Sequence, residues 1–71
     1  MMPAVVGVDK NKLRRLRLGA GLTQIQLAER AGVSPDTVVR WEGGKGGRPH
    51  PGALSKLARA LGVTPADLLE D

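Results

Sequence analysis

Arg40 carries a planar guanidinium fork, and Thr37 and Asp36 stand three and four residues before it. On a helix, residues at those spacings share a face. The three side chains could read an array of fixed donors and acceptors. The fork can make two hydrogen bonds to guanine O6 and N7, the threonine can offer a methyl to thymine or a hydroxyl to phosphate, and the aspartate can accept from cytosine N4. Blander roles stand beside each: Arg40 on phosphate or water, Thr37 in solvent, Asp36 stabilising the helix dipole from the first turn. Ser34, at the head of the same segment, completes a candidate base-reading set of Ser34, Asp36, Thr37 and Arg40. Val38 and Trp41, three apart, can share the opposite, inward face.

The elements that must hold this face are well punctuated. From Leu22 to Glu42 the chain reads LTQIQLAERAGVSPDTVVRWE. Thr23 can cap a helix and Gln26 completes a capping box. Ile25, Leu27, Ala28 and Ala31 follow a helical period. Gly32 suits the left-handed turn that ends a helix, and Val33 turns inward. Ser34 caps a second helix, opened by Pro35. Two helices joined by three or four residues including glycine form a helix-turn-helix pattern.

Around this pair the sequence predicts helices over Lys10 to Leu18, Gln24 to Ala31, Pro35 to Glu42 and Pro51 to Leu61. A fifth starts at Thr64 and Pro65, with Asp67 closing a capping box. Asp9 can cap the first, with Val8 and Leu13 spaced as a hydrophobic staple. The run GGKGGRP, residues 43 to 49, is a loop. No strand signal appears. The expected fold is all-α: a compact orthogonal bundle of five short helices, preceded by a flexible arm over residues 1 to 8. Residues 9 to 71 form the single domain.

At this point the chain resembles the Cro/phage-repressor-type (XRE) helix-turn-helix family, and so a lambda-repressor-like domain. The residues that carry the likeness are Thr23-Gln24, Leu27-Ala28, Ala31-Gly32-Val33-Ser34, Thr37-Val38, Arg40-Trp41-Glu42 and Leu57-Ala58-Arg59-Ala60-Leu61-Gly62-Val63. They span about Lys10 to Leu69. The resemblance implies a sequence-specific transcription regulator with residues 35 to 42 in the major groove of double-stranded DNA. It implies that Gln24, at a helix N-terminus, clamps a phosphate. It also implies that Arg17 pairs with Glu42 to lock the recognition helix; two separate surface charges are the alternative. Such repressors often carry glutamines where this chain has Pro35 and Asp36, so the preferred base sequence does not carry over.

Charge fits this picture. The chain has eleven basic and seven acidic side chains, net +4. All eleven basic residues lie between residues 10 and 59 with only three acids, net +8 there, whereas the other four acids lie outside. A basic body with an acidic C-terminal end is the footprint of a nucleic-acid binder, or simply a solvated basic surface. Lys45 and Arg48 flank the glycine loop, where Gly47 and Arg48 can present backbone N–H groups to a phosphate. That loop is expected to be mobile until DNA orders it, with a plain connector as the alternative.

There is no cysteine and one histidine, His50. No metal, cofactor or catalytic constellation is expected, and His50 is read as a cap or phosphate contact. No apolar run approaches the ~18 residues that span a bilayer, and the N-terminus lacks the basic region of a signal peptide, so the cytoplasm is the default. One module this small buries only about 600–1,000 Å² on DNA, so a homodimer on a near-palindromic operator is expected. Val63, Pro65 and Ala66, near the end of the sequence, are the expected pairing patch, with residues 4 to 8 as the rival. A protein-interaction, antitoxin-like adaptor using the same fold is the competing function.

Overall fold

The computed structural model describes residues 7–71, and most of the expected arm lies outside that range. Four α-helices run α1 Lys10–Gly19, α2 Gln24–Ala31, α3 Pro35–Glu42 and α4 Pro51–Leu61. The caps explain these bounds. The Asp9 carboxylate accepts from the N–H groups of Asn11 at 2.9 Å and Lys12 at 3.1 Å. Both halves of the Thr23–Gln26 capping box are made. Gly32, at φ 75°, ends α2 in the left-handed conformation that a β-carbon disfavours. Ser34 Oγ accepts from Thr37 N–H at the head of α3. His50 is a cap: its Nδ1 accepts from Gly52 N–H at 3.1 Å and starts α4.

The fifth element departs from expectation. Pro65–Leu68 is a single 3-10 turn rather than an α-helix. Asp67 accepts from both the N–H and the hydroxyl of Thr64 at 3.0 Å. Leu69 then turns extended and pairs with Val8 in an antiparallel bridge, which stops the helix after one turn. The same bridge corrects the end of the arm. Asp9 N–H donates to Leu68 O and Glu70 N–H to Gly7 O, both at 2.9 Å, and Val8 is buried. Gly7 and Val8 therefore belong to the folded body.

The five elements each send a large, fully buried side chain to a common centre: Leu13, Leu27, Val38, Leu57 and Leu68. Trp41 joins them from α3, and Val8 and Leu13, the two residues at staple spacing, both belong to this core. Ile25 does not. It is 60% exposed, because at 100° per residue it falls roughly 110° from the direction shared by Leu27, Ala28 and Ala31. The core is aliphatic apart from Trp41, and it clamps the inner face of α3 so that the outer face is presented from a fixed frame.

Candidate nucleic-acid interface

Helix α3 is locked from behind. Arg17 donates from Nε to Glu42 Oε2 at 2.6 Å and from Nη2 to Oε1 at 2.9 Å. Its third arm, Nη1, donates to Leu22 O at 2.8 Å. The guanidinium thus joins the end of α1, the turn into α2 and the last residue of α3. The two side chains are 10% and 4% exposed. Hydrogen bonding to Glu42 holds the Arg17 pKa above its ordinary value, against the opposing cost of burial. The planar fork and bidentate geometry suit arginine and not lysine.

Gln24 lies in the first turn of α2, and its side-chain N–H donates to Glu42 Oε1 at 3.3 Å. An amide carries two donors, so one remains beside the free N–H groups of the helix end. The α2 N-terminus and the α3 C-terminus therefore share one carboxylate.

Asp36, Val39 and Arg40 make up the exposed outer face of α3. Arg40 Nε lies 3.4 Å from Asp36 Oδ2, one turn back along the helix. Ser34 and Thr37 share a hydrogen bond between hydroxyls at 3.1 Å. Val39 was not singled out from its sequence position. Its place three residues after Asp36 and one before Arg40, on the face away from Val38 and Trp41, is the signal that could have found it.

The glycine loop makes closer contacts with the body than its composition suggests. Lys45 N–H donates to Arg40 O at 2.9 Å, so the chain folds back on the end of α3. Gly46 rests on the core: a methyl there would stand 3.3 Å from Val8 Cβ and 3.4 Å from Trp41 Cδ1. Gly47 has φ 52°, a conformation that favours glycine. Lys45, Gly47 and Arg48 are exposed. Lys10 passes over Gly44, its Cδ 3.4 Å from where a β-carbon would lie, and adds a cation that the sequence did not assign to this edge.

A two-helix unit whose second helix shows a polar outer face, fixed from behind by a buried ion pair, defines a helix-turn-helix module. Comparison with known proteins agrees. A family model described as a helix-turn-helix domain matches residues 11–70. The HTH-type transcriptional activator BcrR of Enterococcus faecalis is 43% identical over 58 residues, covering 82% of this chain and 28% of that protein. The restriction-modification controller protein C.AhdI of Aeromonas hydrophila superposes with a TM-score of 0.74 at 33% identity, over 82% of this chain and 86% of that one. A hydroxyethylphosphonate dioxygenase mutant superposes with a TM-score of 0.78 at 32% identity, over 92% of this chain. That match takes in 14% of the dioxygenase, so its activity is not carried over. The chain belongs to the helix-turn-helix family, of the Cro/phage-repressor type expected from its sequence. It spans 28% and 42% of the length of two curated relatives that it matches.

Proposed function

We propose that this domain is the sequence-specific DNA-binding part of a transcription regulator, acting as a homodimer on a near-palindromic operator. In this account α3 enters the major groove with Asp36, Thr37, Val39 and Arg40 toward the bases and Ser34 at the groove edge. Gln24, Lys45, Gly47 and Arg48 take phosphates on either side. The observation that carries the proposal is the Arg17–Glu42–Gln24 cluster. It fixes the recognition helix and a helix N-terminus, a ready anion site, in one rigid frame.

The Asp36–Arg40 contact gives both residues a role. Asp36 engages Arg40 at Nε, which leaves both terminal nitrogens free as a fork for guanine O6 and N7. Asp36 then orients the reader instead of reading cytosine itself. Val39 offers methyl groups to the thymine C5-methyl.

Dimer formation rests on the corner at Val63, Pro65 and Ala66, where the last two are exposed and Val63 is half-buried. Two-fold pairing there would set two recognition helices about 34 Å apart. No helix among the described residues is long and apolar enough to cross a membrane. The cytoplasm remains the proposed location.

The test is the salt dependence of binding to duplex DNA. Phosphate contacts release counterions, so log affinity should fall linearly with log salt, by about 0.9 per phosphate contact. An adaptor that binds protein through the same fold would show at most the weak affinity of a basic surface, with no preference for one duplex sequence over a random one.

A further inference from the structure

The segment Gly7–Val8 lies between two other stretches of chain. On one side it is paired with the C-terminal residues: Glu70 N–H donates to Gly7 O, Asp9 N–H donates to Leu68 O, and Val8 bridges Leu69. Lys12 reinforces this edge from α1, with Nζ 3.0 Å from Leu69 O and 2.9 Å from Asp71 Oδ1. On the other side lies the glycine loop. A methyl at Gly7 would stand 2.9 Å from Gly47 O, closer than real β-carbons approach. Val8 and Trp41 together form the seat for Gly46. Gly46 has no positive φ, so space, not backbone conformation, keeps a side chain out of that position.

We infer that Gly7–Val8, pinned to residues 68–70, is the positioning element for the phosphate-contact loop. It holds Gly46 against the Trp41 ring and so fixes the direction in which Gly47, Arg48 and Lys45 meet a phosphate. The inference rests on the proposed phosphate role of that loop. Four glycines between residues 43 and 47 would otherwise leave the loop with a large ordering cost on binding. A loop already seated avoids most of that cost, because ordering entropy lost in the free protein is not lost again on DNA. Residues far from DNA in sequence, at both ends of the described chain, would then set the strength of backbone contacts while leaving base preference alone.

The experiment uses the full chain and the Gly7→Ala variant, with Lys45→Ala and Arg48→Ala as references. Three readouts are taken: the slope of log affinity against log salt on duplex DNA, base preference in a random-pool selection, and Trp41 emission. Trp41 is the single tryptophan, buried under Gly46, so lifting the loop wets its ring and shifts the emission to longer wavelength. The expected result is a slope reduced by about 0.9 for each phosphate that the loop no longer engages, a red-shifted Trp41 and an unchanged base preference. Gly46→Ala, which presses from the loop side on both Val8 Cβ and the Trp41 ring, should give the same three results and replaces Gly7→Ala if that variant does not fold. A wild-type slope with unshifted emission in the folded variant overturns the inference and leaves the loop's phosphate role intact. A salt slope that also ignores Lys45→Ala and Arg48→Ala overturns the phosphate role, and the inference with it.

Discussion

Glu42→Ala should be among the most damaging single substitutions outside the hydrophobic core. It removes both carboxylate oxygens from Arg17 and takes away the acceptor of Gln24. The guanidinium, 10% exposed, keeps only the Leu22 carbonyl. Breaking a buried pair from one side costs about 3–5 kcal/mol, because a charge is left without its partner. The pair lies at the edge of the core, where water can reach in after truncation, so the lower end, about 3 kcal/mol, applies. A chain of this length has roughly 4–11 kcal/mol of total stability. The loss is therefore a large share of the whole, and the melting temperature should fall by roughly 12–24 °C at ~4–8 °C per kcal/mol. Arg17→Ala should cost a similar amount, since it strands the carboxylate. The double variant should be far less damaged than the two losses added. Urea unfolding followed by helical circular dichroism gives the four free energies of the cycle. Coupling within about 0.5 kcal/mol of zero, the range of independent sites, would refute the idea that this pair locks α3.

Three further outcomes are expected. Asp36→Ala should weaken specific binding without changing the preferred base; relaxed preference at a separate cytosine would show that Asp36 reads DNA itself. The Asp67 carboxyl is held below its ordinary range by the hydrogen bond from Thr64 N–H and then by the Thr64 hydroxyl. A lowered folded-state value means its stabilisation is present above the usual aspartate pKa of ~3.9 and is lost as pH falls through the lower folded value. Thermal unfolding of Asp67→Asn should therefore show a flatter acid limb below about pH 4 than the wild type, and matching limbs would remove the cap's contribution. Sedimentation should show a weak dimer that a palindromic duplex stabilises by mass action, and one protein per duplex at saturation would exclude it.

Much of the fold was legible because the helix ends are marked by short-range chemistry. Thr23, Gly32, Ser34, Pro35, His50 and Gly62 act within one turn of where they stand, so α2, α3 and α4 begin and end as their residues dictate. The Arg17–Glu42 pair was legible only through family likeness, and the structure brings the two together. What escaped depends on contacts across the chain. Nothing near Val8 announces a bridge to Leu69, and nothing near Pro65 shows that the same bridge limits the last helix to one 3-10 turn. Ile25 looked inward because periodicity fixes a spacing but not which of two adjacent stripes is covered. The seat of Gly46 on Trp41 is invisible in a run of glycines, whose composition speaks of freedom and not of a neighbour.

Selection of bound sites from a random duplex pool, run in parallel with the wild type and Arg40→Ala, tests the central claim most directly. The wild type should enrich a near-palindrome with half-sites about 34 Å apart and a fixed guanine in each. Arg40→Ala should lose roughly 1–3 kcal/mol of specific binding and release that one position in each half-site. Failure of the wild type to enrich any sequence, or an identical enriched site from Arg40→Ala, would contradict the account.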